Sequence, residues 1–248
     1  RSFILSKKKN RRAYVQLNIK NSKITYQVIS EQQTALDGTV FKIPNLAEEG
    51  TVGRNGAKCL HCGASVSLKY IRTVGKASCL SKHLIAIVGD GGRTSGRTYL
   101  SPNKNHENAA KVELPKDFPK ADLPNNTRDF KTPNYGMKTF QDLFTPRQLT
   151  AMVAFSDLVG EAIEEVRRDA LVAGMPEGKP LNDGGNGALA YGQAVGVYLS
   201  FGIDLTADYN NRICTWNSGR DLTRNLFARQ AIPMSWDFAV NNPIGKAS

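Results

Sequence analysis

The sequence predicts an α+β fold, and three observations carry that reading. Residues 1–100 hold short apolar runs broken by turn formers, which is the pattern of a β-rich unit. Residues 101–144 hold five prolines (Pro102, Pro115, Pro119, Pro124, Pro133) and little periodicity, the pattern of an extended connector. Residues 145–248 hold apolar side chains at spacings of three and four, which predicts a helical region.

In the first region, Tyr14 to Ile19, Lys23 to Ile29 and Thr39 to Ile43 read as strands. Asn21-Ser22 and Asp37-Gly38 supply the turns between them. Gly89-Asp90-Gly91-Gly92 reads as a tight turn joining Leu84–Val88 to Arg97–Leu100. A glycine-rich turn can cradle phosphate, but no helix start follows this one, so a plain hairpin is expected.

In the connector, Tyr135, Phe140 and Phe144 bring aromatic rings back near its end, to pin it onto the helices. Thr145-Pro146-Arg147-Gln148 then combines an N-cap threonine, proline at the first helical position and glutamine three residues after the cap. That capping box predicts a helix start. Leu149, Met152, Val153, Leu158, Val159, Ala162, Ile163 and Val166 form its apolar stripe, and Gly174 and Pro176 stop it. Gly174 to Gly187 reads as a loop. A second helix is expected over about Ala188–Asn210, presenting Tyr191, Val195, Tyr198, Leu199, Gly202 and Leu205, and a third from near Arg220 to about Ala231.

Composition bounds the function. The chain has 248 residues, 40% hydrophobic and 22% charged, enough for a real core, whereas apolar runs such as Leu84–Val88 are far too short to cross a bilayer. No membrane partner is expected. The first residue is Arg1, and no leader pattern follows, so the stretch reads as an interior piece of a longer protein. Four cysteines (Cys59, Cys62, Cys79, Cys214) are too few and too scattered for a secreted disulfide framework, which places the protein in a reducing, cytoplasmic compartment.

The formal net charge is +11, and its distribution is uneven: residues 1–100 carry +12, residues 101–146 carry +1 and residues 147–248 carry −2. The excess is led by Lys7, Lys8, Lys9, Arg11 and Arg12. Such a field attracts a polyanion, most commonly nucleic acid; lysines that guard a strand edge are the other reading. A second basic candidate lies near the C-terminus. On the expected third helix Arg220, Arg224 and Phe227 fall at i, i+4 and i+7, with Arg229 and Gln230 near its end. That face suits phosphate or base stacking, or else pairing with Asp204, Asp208 and Asp221.

Cys59-Leu60-His61-Cys62-Gly63 is a CxxCG knuckle. Two thiolates on a glycine-closed turn can grip zinc, and a tetrahedral site needs two more ligands. Within the chain these can be Cys79 and His83; the alternative leaves Cys79 a small buried residue and His83 a surface one. A redox pair is disfavoured, because no βαβ pattern surrounds Cys59. The first region is therefore expected to be zinc-ribbon-like. No Ser/His/Asp arrangement, HExxH, P-loop or GxGxxG occurs, and Asn242-Pro243-Ile244 is assigned no catalysis.

An ordered set of blocks resembles one family, the large adenine-specific DNA methylases that contain a zinc ribbon. The blocks are Arg1 to Lys9, Gly50-Thr51-Val52 through Cys59-Leu60-His61-Cys62-Gly63, Tyr70-Ile71-Arg72 with Gly75-Lys76-Ala77, and Arg97 to Leu100. Tyr135-Gly136-Met137, Asp142 to Thr150, Phe155 to Val159, Ala207 to Asn210, Phe227 to Met234 and Trp236-Asp237-Phe238 follow. The resemblance spans nearly the whole chain and implies part of an S-adenosylmethionine-dependent DNA adenine N6 methyltransferase. In that family the cofactor motif lies upstream of this stretch, and the Pro-Pro-Tyr catalytic loop lies downstream. It implies DNA and the remainder of the methyltransferase polypeptide as partners. Cys59 and Cys62 match the second knuckle of the ribbon, which favours an upstream thiol pair over Cys79 and His83. The segment is then expected to be inactive alone, its basic ribbon gripping DNA backbone and its helical region framing the catalytic unit. A non-enzymatic zinc-ribbon nucleic-acid-binding or scaffold module is the competing reading.

Overall fold

The computed structural model describes residues 2–21, 23–91, 96–227 and 230–245. The architecture is α+β: the described residues form six helices with small antiparallel sheets. Strands β1 (Ile4–Ser6), β2 (Ala13–Lys20) and β3 (Lys23–Ser30) form the largest sheet, ordered β1-β2-β3. The β2–β3 hairpin runs in unbroken register from Ala13 opposite Ser30 to Lys20 opposite Lys23. Because side chains alternate across a strand, Gln16, Asn18, Thr25 and Gln27 share one polar face while Val15, Tyr26 and Val28 share the other. The apolar face joins Leu5, Ala13 and Tyr99 in one core, with Trp216 packed on it from far along the chain.

Short helices α1 (Glu31–Leu36) and α2 (Asn45–Glu49) follow. The expected strand over Thr39–Ile43 is absent. Phe41 instead lays its ring edge-on to Tyr14 at 5.8 Å and beneath the Arg12 guanidinium, so this run is held by side-chain contacts rather than a ladder. The hairpin β4 (Gly56–Lys58) and β5 (Ser65–Ser67) carries the cysteine turn and leads directly into α3 (Leu68–Lys76), capped by the Ser67 hydroxyl. Strands β6 (Ile87–Asp90) and β7 (Arg97–Leu100) pair as the expected hairpin, with β6 starting later than Leu84. Gly92, part of the predicted turn, lies outside the described residues.

The proline-rich stretch begins with α4 (Lys104–Ala109), and its second half is deeply packed. Leu123, Met137 and Leu143 join Ile213, Cys214, Leu226 and Ile232 in a second core, flanked by Phe130, Phe144 and Met234. The 3-10 turn Thr132–Tyr135 lies against α3, where a β-carbon on Gly75 would come within 2.6 Å of the Tyr135 carbonyl oxygen. Gly136, at φ +92, faces the Gly75 carbonyl in return.

The long helices follow the sequence closely. Helix α5 (Pro146–Val172) starts on the expected capping box: the Thr145 hydroxyl accepts from the Gln148 N–H, and Gln148 Oε1 accepts from the Thr145 N–H at 2.8 Å. Buried Gln148 also donates to Asn210 Oδ1 at 3.0 Å, tying the start of α5 to the end of α6 (Ala188–Tyr209). The two helices pack closely because Gly192 and Gly196 leave room for Ile163. Among the described residues, no helix is long and apolar enough to cross a membrane.

Among the described residues from Arg220 to Ala231 the expected third helix is absent; residues 228 and 229 lie outside them. Residues 216–227 instead form a small hairpin, β8 (Trp216–Asn217) with β9 (Leu222–Thr223), followed by irregular chain. Two features override the helical spacing. Asp221 sits at φ +58, a left-handed conformation that no α-helix contains. The amides that a helix would use internally are captured elsewhere: Arg224 N–H by the Thr215 carbonyl, Leu226 N–H by the Asp208 carbonyl and Phe227 N–H by Asp208 Oδ1.

Candidate nucleic-acid interface and cysteine knuckle

The turn between β1 and β2 carries Lys7, Lys8, Lys9, Arg11 and Arg12, and their environments differ. Lys7 and Lys9 are exposed. Arg11 is half-buried against Gly96. Arg12 makes a two-pronged pair with Glu31, Nη2 to Oε1 at 2.6 Å and Nε to Oε2 at 3.1 Å, which holds the Glu31 carboxyl below the usual carboxylate range. Arg11 and Arg12 are thus packed or paired, while Lys7 and Lys9 are open to solvent.

Lys8 explains where the cluster sits. Its ammonium donates to the Arg220 carbonyl at 3.1 Å and lies 3.4 Å from the carboxylate of buried Asp221. The Lys7 N–H donates to the Ser218 carbonyl at 2.8 Å, and the Trp216 indole N–H donates to the Leu5 carbonyl. The β8–β9 turn therefore abuts the β1–β2 turn and sets exposed Arg220 beside Lys7 to Lys9. Two basic segments at opposite ends of the sequence form one patch. Arg224, also exposed, follows β9 but shares no helix face with Arg220. Arg229 lies outside the described residues.

Beneath this patch is a polar cluster that the sequence reading missed. Burial pushes the Tyr99 hydroxyl up to about 12; the Ser6 hydroxyl opposes that rise and the Asp221 carboxylate adds to it. The available signal was Asn217-Ser218-Gly219-Arg220-Asp221, a run of turn formers that favours a hairpin over a helix start.

Cys59 to Cys62 form the tight turn between β4 and β5. The Cys59 N–H donates to the Ala64 carbonyl at 2.8 Å, the Gly63 N–H donates to the Cys59 carbonyl at 2.9 Å, and Gly63 closes the turn at φ +74. Backbone amides of Cys62 and His61 donate to the Cys59 sulfur and lower its thiol pKa, with the Cys62 thiol helping. A thiol whose pKa is lowered by backbone amides, beside a second thiol, is a donor pair that fits one half of a tetrahedral zinc site. Cys79 and His83 are not gathered with this pair among the described residues. The Cys79 thiol donates to the Ala77 carbonyl at 3.3 Å, His83 contacts the Ser81 hydroxyl at 3.2 Å and its ring leans on Tyr26. Among the described residues, no three His, Cys, Asp or Glu side chains gather into a metal-binding group. All four cysteines are free.

No protein-family model, curated protein or solved structure matches the chain.

Proposed function

We propose that this chain is the accessory, DNA-gripping part of an S-adenosylmethionine-dependent DNA adenine N6 methyltransferase. The observation that supports a phosphate-binding role best is the junction of two basic turns, which puts Arg220 beside Lys7 and Lys9 on one exposed edge. Side chains that emerge from short, hydrogen-bonded turns are positioned for a polyanion at small conformational cost. The ordered resemblance across the chain supports the methyltransferase setting.

A base inside a duplex must leave the stack before its exocyclic amine can be methylated, and that distortion needs a surface that holds the flanking backbone. The basic edge has that role in this reading. The bound cofactor supplies the methyl group, and no residue of this chain is given a part in the transfer. Cys59 and Cys62 would provide two thiolates to a zinc completed from elsewhere, and zinc would rigidify the β4–β5 hairpin. The helical region frames the catalytic unit.

The test is duplex DNA binding by fluorescence anisotropy across a salt series. Replacing Lys7, Lys9 and Arg220 by Glu is expected to weaken binding and to flatten the plot of log affinity against log salt by roughly one unit for each lost phosphate contact. Unchanged affinity and slope would overturn the phosphate role. DNA binding by the complete gene product without methyl transfer would favour the non-enzymatic zinc-ribbon module or scaffold instead.

A further inference from the structure

We propose that the polar face of the β2–β3 hairpin lies in the major groove of duplex DNA, where Gln16 and Gln27 read base edges and Lys20 and Lys23 hold backbone phosphates. The inference rests on the DNA-gripping role argued above and gives it a sequence-reading element. Strand β1 runs beside β2 only as far as Tyr14, with the Val15 N–H donating to the Phe3 carbonyl at 2.8 Å. Among the described residues, no third strand pairs with Gln16–Lys20 or with Lys23–Gln27. These residues therefore form a two-stranded ribbon, an element that the major groove, about 12 Å wide, admits.

Three cross-strand rows make up the face: Gln16 opposite Gln27, Asn18 opposite Thr25 and Lys20 opposite Lys23. Two of these choices work against the hairpin. Asparagine is disfavoured inside a strand, and like charges directly opposite each other repel. No acid relieves the lysines within the hairpin, because residues 13–30 contain neither Asp nor Glu. Protection of a free strand edge accounts for the lysines and leaves the amides without a reason. A polyanion that offers hydrogen-bonding base edges between its phosphates accounts for both.

Spacing and rigidity agree with that occupant. Rows on one face of a strand recur about every 6.8 Å, and base pairs stack about 3.4 Å apart, so successive rows meet every second pair. A side-chain amide matches the N6 and N7 edge of adenine with one donor and one acceptor. Here the amides are set in order by one another: Gln16 Nε2 donates to Asn18 Oδ1 and Asn18 Nδ2 donates to Gln27 Oε1, each at 3.4 Å. Gln16 and Gln27 are nonetheless exposed, as are Lys20 and Lys23. The other face of the ribbon is anchored, with Tyr26 packed on the first core and its ring 6.2 Å from that of His83. The basic turn of Lys7 to Arg12 lies at the opposite end of β2 from Lys20, so cations bracket the amide rows.

The test is capture of duplexes with a randomised stretch by the full chain, followed by sequencing of the enriched sites and salt titration on the best of them. The unaltered chain is expected to enrich adenine at fixed positions. Gln16→Ala with Gln27→Ala should cut that preference about tenfold and leave the salt dependence unchanged. Lys20→Ala with Lys23→Ala should weaken binding to every sequence and flatten the salt plot by roughly two units. Circular dichroism of each variant checks that it is folded. Dimethyl sulfate, which methylates guanine N7 in the major groove, should be blocked at guanines beside the enriched adenines. Absence of a sequence preference, a preference that survives loss of both glutamines, or unprotected N7 atoms would overturn the proposal. So would equal effects of the ribbon variants on duplex RNA, whose major groove is too narrow to enter. If charge reversal at Lys7, Lys9 and Arg220 weakens binding while both ribbon variants bind as before, the ribbon falls and the basic edge stands. The reverse pattern keeps the ribbon and removes the basic edge, and a chain that binds no duplex removes both.

Discussion

The Lys8 ammonium lies 3.4 Å from the carboxylate of Asp221, whose side chain is nearly sealed from solvent. The contact joins the first hairpin turn to the last and separates Lys8 from its neighbours in role. Lys8→Ala would leave a buried carboxylate without its counter-charge, at a cost of about 1–3 kcal/mol. Lys7→Ala and Lys9→Ala should leave stability unchanged. Urea denaturation of the three variants distinguishes them, and equal midpoints would show that the pair does not hold the two turns together.

Gln148 closes both the α5 capping box and the buried bridge to Asn210. Gln148→Leu keeps the bulk but orphans the Thr145 N–H and Asn210 Oδ1. The expected loss is about 2–3 kcal/mol. Chemical denaturation measures it, and Gln148→Glu, which can still accept from Thr145, should lose less.

The four thiols should differ sharply in reactivity. Two backbone amides hold Cys59 toward its thiolate, whereas burial pushes Cys214 up to about 11, with the Asp208 carboxylate adding to the effect. Iodoacetamide near pH 8 should therefore modify Cys59 first and Cys214 only on unfolding, as followed by peptide mass spectrometry. Rapid labelling of Cys214 in the native protein would contradict its place in the core.

The Arg12–Glu31 pair has a defined pH signature. Hydrogen bonds from the Arg12 side chain lower the Glu31 pKa relative to the unfolded chain. The stabilisation is thus fully present above the ordinary carboxylate value and disappears as pH falls through the lower folded-state value. An NMR titration of the Glu31 carboxyl should show the depressed midpoint, and Arg12→Gln should move it back up. The pair is exposed, so its contribution should also shrink at high salt.

Gly75 offers no room for a methyl group, with the Tyr135 carbonyl oxygen 2.6 Å from where a β-carbon would sit. Gly75→Ala should cost about 1–3 kcal/mol, since backbone on both sides must shift. Gly38→Ala, at a positive φ but in open space, is the control for conformational strain alone. A thermal melt in which Gly75→Ala loses no more than Gly38→Ala would argue against the close contact.

What was legible in the sequence was what neighbours in the sequence decide. The α5 start was readable because Thr145, Pro146 and Gln148 act within one turn, and β2–β3 because alternation marks both strands. The residues after Trp216 were misread for the converse reason. The spacing of Arg220, Arg224 and Phe227 is helical, but Asp208 on α6 takes the amides of Leu226 and Phe227, a partner that no local pattern reveals. The candidate interface divides the same way. Lys7 to Arg12 are visible as a run, while the docking of Arg220 beside them depends on Lys8, Ser218 and Trp216 meeting across the chain.

The contact of Gly75 with Tyr135 and Gly136 also acts as the neck of a loop. It draws together two points of the chain, and everything from residue 76 to residue 135 is threaded between them. Loop-closure entropy rises slowly with contour length, by only about 0.6 kcal/mol for each doubling. Inserted residues near exposed Lys116 or Lys120 should therefore be cheap, while one methyl group at the neck is not. The proline-rich part of that loop should accept added length as long as Gly75 and Gly136 keep the neck shut.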